Sequence, residues 1–286
     1  MAATGGLIGV TGATGRLGGR VAQRLADAGV RQRLLVRDLS RAPQLPGAVA
    51  RHAWFADTDE VRESLTGVTT LLMVSAAEAP DRLEQHRAFV DAAAAAGVEH
   101  LVYTSFAGAA ADCTFTLGRD HYATEQHVRA SGMRFTFLRD NLYADFVPAM
   151  VGEDGVVRGP AGDGRVALVA VDDVADVAAA VLRHPGRHVG ATYTLTGPQA
   201  LTLDEVASIL TSAVDRPVRY HRETLEEAYA SRASYGAPPW QLDAWVSTYT
   251  SIAAGEVAEV THDVERLAGH AATSLAQLLR EGRSAY

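Results

Sequence analysis

The sequence predicts an α/β protein built on a doubly wound parallel sheet, with a smaller mixed C-terminal lobe. Three observations predict it. A glycine run lies where a short apolar strand turns into a helix. Short apolar strands and helical stretches then alternate five times, the pattern of a sheet covered on both faces. From about Ser208 the alternation gives way to a segment rich in aromatic residues and proline. The expected division is a core over residues 1–150 and a lobe over 151–286, with strands near 166–171 and 192–195 joining or flanking the core.

Composition narrows the function classes. The 286 residues, 48% of them hydrophobic, suffice for one large core. No apolar run reaches the length of a membrane span. Met1 to Gly6 lacks the charged start and long apolar core of a secretory signal. Cys113 is the only cysteine, which excludes an internal disulfide and a cysteine-based zinc site and fits a reducing, cytoplasmic setting. A net charge of −8 speaks against nucleic acid or an anionic membrane as partner. The chain has no lysine, so all 26 of its Lys+Arg residues are arginine, and no amine is available for a Schiff base or as a lysine general acid. His184 and His188 are separated by Pro185-Gly186, and His262 and His270 stand alone, so no metal site is predicted.

Leu7-Ile8-Gly9-Val10 reads as the first buried strand, and Val21, Leu25 and Ala28 mark one face of the helix that follows, closed by Gly29. Between them runs Gly12-Ala13-Thr14-Gly15-Arg16-Leu17-Gly18. Unpaired N–H groups and the positive dipole end of a helix attract phosphate there. Gly12 permits the turn, Gly15 lets backbone approach a pyrophosphate, and Gly18 lets the helix pack closely on the sheet. Leu34-Leu35-Val36 is the second strand, ending at Arg37-Asp38. That is where such folds read the adenosine ribose, roughly 20 residues past the glycines. A guanidinium there suits the 2′-phosphate of NADP, and an acid the 2′-hydroxyl of NAD. With Arg37 first and Arg16 in the loop, NADP(H) is expected over NAD(H).

Arg51 to Phe55 reads as a weaker third strand, and Asp57 after it as either an adenine contact or a helix N-cap over Val61 and Leu65. Leu71-Leu72-Met73-Val74 is a fourth strand, ending at Ser75-Ala76. Pro80 opens a helix whose alanine run, Ala92 to Ala96, suits close packing on a sheet. Leu101 to Thr104 is the fifth strand, with Ser105 at its end. A helix over about Gly118 to Ala130 carries His121, Tyr122, Glu125 and Gln126, and Phe135 to Leu138 is the sixth strand, leading into Arg139-Asp140-Asn141-Leu142-Tyr143. Gly152 to Gly164 reads as a loop with a short hairpin and Val166 to Val171 as a strand. Asp172 or Asp173 is expected to cap a helix over Val174 to Leu182, and Thr202 with Glu205 forms a capping-box pattern. Tyr229, Tyr235, Trp240 and Trp245 around Pro238-Pro239 read equally as the core of a helical lobe or as a lid over a flat apolar substrate.

The glycine run, Val36-Arg37-Asp38, Tyr103-Thr104-Ser105, His121 with Thr124-Glu125, Phe137-Leu138-Arg139 and Ala161-Gly162-Asp163-Gly164-Arg165 together resemble the NmrA-like branch of atypical short-chain dehydrogenases. The look is nearest to its quinone-reducing bacterial type-2 members and covers roughly the first 210 residues. The resemblance implies a Rossmann domain, NADP(H) and a C-terminal lobe on the substrate side. It implies that Gly12, Thr14, Gly15, Arg16, Leu17 and Gly18 hold the pyrophosphate, Arg37 the adenosine phosphate and Asp57 the adenine. Ser75 and Ala76 would line the ribose path, Thr104, Ser105 and Asn141 or Leu142 would lie near the nicotinamide, and Tyr143 on the substrate side. Where short-chain dehydrogenases carry Tyr-x-x-x-Lys, this chain has Tyr122-Ala123-Thr124-Glu125-Gln126. Gln126 can hydrogen-bond a ribose but brings no charge to stabilise a phenolate at Tyr122.

These readings converge on NADPH-dependent hydride transfer to a small-molecule electron acceptor, a quinone or similar conjugated or small carbonyl compound. Such an acceptor asks mainly for alignment and exclusion of water, with Ser105, Tyr122 and His121 orienting its oxygen. The rivals are a dinucleotide-sensing regulatory protein that no longer turns over, as some members of the family are, and a ketoreductase of secondary metabolism. The family also implies a homodimer.

Overall fold

The computed structural model describes residues 6–213 and 216–282. The reading of Met1 to Gly6 as lacking a secretory signal therefore lies, save for Gly6, outside the described residues. In chain order the elements are β1 (Leu7–Thr11), α1 (Arg16–Asp27), β2 (Gln32–Val36), β3 (Ala48–His52), α2 (Asp59–Leu65), β4 (Val68–Met73), α3 (Arg82–Ala95), β5 (His100–Phe106), α4 (Thr116–Ala130) and β6 (Arg134–Asp140). There follow β7 (Val156–Gly159), β8 (Arg165–Val166), α5 (Val171–Arg183), β9 (Thr192–Leu195), β10 (Leu201–Thr202), α6 (Leu203–Ala213), β11 (Arg219–Arg222), α7 (Leu225–Arg232), α8 (Pro239–Ala253), α9 (Asp263–Ala268) and α10 (Leu275–Arg280).

A seven-stranded sheet runs in the order β3-β2-β1-β4-β5-β6-β9. The pairings β1–β2, β1–β4, β2–β3 and β4–β5 are parallel. The order reverses between β1 and β4, the switch point outside whose strand ends such sheets bind ligands. The expected doubly wound sheet is thus present. Its strands are apolar on both faces because helices cover both: β5 is buried along its whole length. Leu35, Leu71, Met73, Leu101, Tyr103 and Phe137 join Phe89, Val90, Ala92 and Ala93 of α3 in one cluster. The alanine run does what its small size suggests and lets α3 lie close to the strands.

Several boundaries move, each for a physical reason. The third strand is Ala48–His52, not 51–55, because its ladder with β2 ends where Val36 faces His52. Thr58, not Asp57, caps α2, its hydroxyl accepting from the Val61 N–H. α3 starts at Arg82, after Pro80 and Asp81. β5 runs on through Phe106, so Ser105 sits inside the strand. Of the stretch 166–171 only Val166 belongs to a strand, β8, which pairs with β10 rather than with the large sheet, and Val169 adds a single bridge to Tyr143. From Val171 the chain is already helical, and the buried Asp145 carboxylate, accepting from the Val171 N–H at 2.9 Å, caps that start in place of Asp172 or Asp173. The Thr202–Glu205 capping box forms as expected, with both reciprocal bonds made.

The segment 152–164 makes a one-bridge turn, Val151 opposite Val157, before β7 pairs in parallel with β11. Its glycines are seats for α8: a Cβ on Gly159 would lie 2.1 Å from the Tyr249 ring, and one on Gly164 2.1 Å from the Ile252 carbonyl. The aromatic stretch is no core. Tyr229 and Tyr235 are exposed, Trp240 and Trp245 half-buried, and Tyr235 meets Trp245 edge-on at 5.9 Å.

The chain forms two compact units that interleave rather than follow one another. The first runs through Ser105 and adds Tyr122–Arg139 and Val174–Tyr193. The second takes Phe106–His121, Asp140–Asp173 and the chain from Thr194 onward. Among the described residues no helix is long and apolar enough to cross a membrane.

Candidate functional site

In the first unit, the glycine run forms a cradle of open backbone. Gly12 adopts φ +65°, a conformation that side chains rarely tolerate. The Gly15 N–H bonds the Gly12 carbonyl at 2.8 Å, closing the turn. Gly15 is the N-cap of α1 and offers no side chain to its first N–H groups, and no acidic residue lies in the first turn. A Cβ on Gly18 would sit 2.3 Å from the Gly12 carbonyl oxygen. Gly12, Thr14, Gly15 and Arg16 are exposed, whereas Leu17 and Gly18 are buried. Leu17 therefore offers a ligand only its backbone, since its side chain belongs to the core. Unfilled N–H groups, absent side chains and the helix dipole together fit a pyrophosphate.

The ribose end is sorted by hydrogen bonding. Asp38 accepts from both the N–H and the hydroxyl of Ser40, at 2.9 and 2.6 Å, and caps the turn Leu39–Arg41. Those bonds hold its carboxyl below the usual carboxylate range. Arg37 is exposed, and no carboxylate among the described residues pairs with it. The acid is thus occupied and the guanidinium is open. Asp57 is clasped by Arg62 through two bonds, at 2.7 and 2.8 Å, and these hold its carboxyl low.

At the switch point the rim is stitched by threonines. Thr11 on β1 accepts from the Val74 N–H at 2.8 Å, and Thr104 on β5 accepts from the Ser75 N–H at 2.9 Å. Both threonines are buried, so Thr104 shapes the rim with its side chain rather than lining it. The Ala76 N–H donates to Nε2 of His86 at 2.9 Å, and the Ala76 carbonyl accepts from Arg82 at 3.0 Å. Burial, and next the Arg82 charge, push His86 down to about 3. The ring is therefore neutral, its Nε2 accepts, and its Nδ1 carries the hydrogen given to Thr124 of α4 at 2.9 Å. His86 and Arg82 were missed by motif reading. Their signal is the spacing 82, 86, 89, 90, 93, which places them on the buried face of α3.

Ser105 is 4% exposed and donates its hydroxyl to Glu125 at 2.6 Å. Arg139 grips the same buried carboxylate through Nε at 2.8 Å and Nη2 at 2.7 Å. The Glu125 bond, first among the causes, holds Arg139 above its ordinary range. Ser105 is thus committed to a buried network and has no hydroxyl hydrogen for an acceptor. Tyr122 and Gln126 lie on the same helix, half-buried and exposed respectively.

The second unit carries His121, buried with its ring 6.2 Å from Phe106. Asn141 is buried, donates to the Val257 carbonyl at 3.0 Å and accepts from the Leu142 N–H at 2.7 Å. Its side chain ties the end of β6 to the C-terminal segment through one donated and one accepted bond. Leu142 and Tyr143 remain half-buried. The Tyr143 hydroxyl donates to Asp140 at 2.7 Å.

Sheet order, switch point and glycine cradle define a dinucleotide-binding α/β protein. Comparison with known proteins makes the class specific. The chain belongs to the NmrA-like family, whose model matches residues 4–243. It is 32% identical over 283 residues to an NAD(P)H azoreductase of Xenophilus azovorans, covering 97% of this chain and 98% of that protein. It matches the NADPH-dependent quinone oxidoreductase of Escherichia coli, solved in complex with NADPH, with a TM-score of 0.88 at 32% identity over 96% of this chain and 99% of that one. Citrobacter sp. triphenylmethane reductase in complex with NADP(H) matches with a TM-score of 0.85 at 32% identity, covering 96% and 99%.

Proposed function

We propose that this protein is an NADPH-dependent oxidoreductase that reduces a quinone or similar conjugated or small carbonyl acceptor. The observation that carries the reading is the bare glycine cradle of Gly12, Gly15 and Gly18 followed by an open Arg37 beside an occupied Asp38. The names of its relatives, an azoreductase, a quinone oxidoreductase and a triphenylmethane reductase, support acceptors with extended conjugation. NADPH, when bound, supplies the hydride.

The protein's own residues bind and align. The loop N–H groups and Arg16 hold the pyrophosphate, Arg37 the 2′-phosphate and Asp57 the adenine edge. Ser75 and Ala76, fixed by Thr104 and His86, present backbone along the ribose path, and Gln126 offers an amide in place of the absent lysine. Tyr122 is the first unit's candidate for orienting the acceptor, and His121, Leu142 and Tyr143 are the second unit's candidates for the substrate side. Arg37 replaces the charge-neutral ribose contact with a charge-assisted one worth about 1.5–3 kcal/mol. A reducing, cytoplasmic setting suits the single buried thiol of Cys113, and we read the working form as a homodimer.

Fluorescence titration of the purified protein with NADPH and NADH, followed by addition of a benzoquinone, tests the reading. Tight NADPH binding, weaker NADH binding and quinone-dependent loss of NADPH absorbance are expected. Arg37→Ala should weaken NADPH about 10-fold or more and leave NADH unchanged. Tight binding with no oxidation by any quinone or ketone would move the assignment to a dinucleotide sensor.

A further inference from the structure

The first unit holds a second set of open hydrogen-bond donors, apart from the glycine cradle. Arg139, next to last in β6, grips Glu125 of α4 through Nε and Nη2, at 2.8 and 2.7 Å. Glu125 is fully buried, and Ser105 of β5 gives it a third hydrogen at 2.6 Å. The Arg139 side chain, by contrast, is 24% exposed. A guanidinium is planar and carries five N–H bonds. Two are spent on Glu125, and the other three meet no acceptor among the described residues. Two of those three, one on each Nη, are parallel and suited to a single oxygen or a pair of them. Holding Nε and Nη2 on Glu125 therefore sets the direction of this open edge. Tyr122 stands three residues before Glu125 on α4, on the same side of the helix. It is half-buried, and its hydroxyl has no partner among the described residues either. Glu125 and Tyr122 are the titratable groups that act on Arg139. All four residues belong to the unit that contains the cradle. β6 lies three strands from β1 in the sheet, about 14 Å at the usual strand spacing, and Arg139 and the cradle both stand at carboxyl ends of strands, where such sheets bind ligands.

We propose that the open edge of Arg139, with the Tyr122 hydroxyl beside it, is the oxyanion-stabilising site of the reaction and holds the acceptor oxygen on which negative charge develops. This role rests on the reductase reading above. Hydride transfer to a quinone adds two electrons and one hydrogen and leaves one anionic oxygen, as the nicotinamide is oxidised. The charge then appears where donors already stand, so little reorganisation is needed during the step. The guanidinium keeps its own protons: the Glu125 bond, against the pull of burial, holds Arg139 above its ordinary range. The acceptor oxygen takes its remaining proton from water after release. Because Glu125 balances the charge of Arg139, the edge recognises an oxygen by direction as much as by charge, and a neutral acceptor can enter. Ser105 is a positioning residue in this arrangement, acting through Glu125.

The test uses the full chain with NADP+, and 4-nitrophenol as the probe, a phenol whose anion absorbs visible light. At a pH where the free probe is mostly neutral, added wild-type protein should bring up the phenolate band. A chain carrying both Glu125→Gln and Arg139→Met should not. That double variant removes both charges of the buried pair and strands neither, and fluorescence titration should give it an unchanged NADPH Kd. With NADPH and 1,4-benzoquinone it should lose about 100-fold in kcat. Arg139→Lys keeps a cation on Glu125 without the parallel N–H pair. It should also fail to bring up the band, and it covers the case in which the double variant does not fold. Wild-type turnover without a phenolate band, or a band that survives undiminished in either folded variant, overturns the oxyanion site and leaves the reductase standing. Absence of wild-type turnover with every acceptor overturns both.

Discussion

His86 is held inside the first unit by the Ala76 N–H, Thr124, the Phe55 ring at 5.7 Å and the Tyr103 ring edge at 5.8 Å. It works only as a neutral ring. The unfolded chain takes up a proton on this histidine near pH 6.5, while the folded chain resists until about 3. The depressed folded value means that its contribution to stability is present above pH 6.5 and is lost as pH falls from there towards 3. His100, pushed down to about 4 and bonded to Thr136 at 2.8 Å, acts in the same direction. Each should cost about 1.4 kcal/mol per pH unit in that window. Urea denaturation at pH 7 and pH 5 should show the midpoint falling, and His86→Gln should flatten the dependence. A pH-independent midpoint in the wild type would count against a buried neutral His86.

At the scale of elements, the βα turn is the most exacting part of the fold. Gly18→Ala drives a methyl group into the Gly12 carbonyl at 2.3 Å, backbone against backbone with no flexible side chain to yield. The expected cost is about 1–3 kcal/mol in stability, with NADPH binding lost as the cradle opens. Gly29→Ala, at φ +68° but with open space around it, should cost about 1–2 kcal/mol and leave binding intact. Thermal melts with and without NADPH separate the two. This turn was legible because each glycine has a separate steric reason to be there. The strands of the sheet were legible for a similar reason, since continuous apolar runs have few other uses. Less legible were elements whose partners are distant in sequence. Asp145 caps α5 from 26 positions away, and the glycines at 159 and 164 are read correctly only once α8 is seen to pack on them. Local chemistry named Asp172 or Asp173 as the cap and the 152–164 stretch as a loop, and the tertiary partner decided otherwise. The same limit applies to Ser105 and Asn141. Their positions at strand ends marked them as site residues, but Glu125 takes the Ser105 hydroxyl hydrogen and Val257 one amide hydrogen of Asn141.

For the molecule as a whole, a ligand that binds only the folded state adds stability by mass action. NADPH at 100 times its Kd should add about 2.7 kcal/mol, and NADH at the same concentration markedly less. A melting temperature raised equally by both would argue against Arg37 as the discriminating group. The interleaving of the two units carries a further consequence, for synthesis. The chain passes from one unit to the other after residues 105, 121, 139, 173 and 193. The second unit is held together by its final stretch: Val257 receives bonds from Ala167 and Asn141, Glu256 holds Thr114, Asp263 holds Thr194, and Thr273 binds Asp173. A ribosome that has made the first 250 residues has therefore delivered every strand of the seven-stranded sheet and none of these clasps. Emerging segments of the second unit must wait, unpaired, until residues 256–273 leave the exit tunnel, and this is the window in which a chaperone would find most to hold.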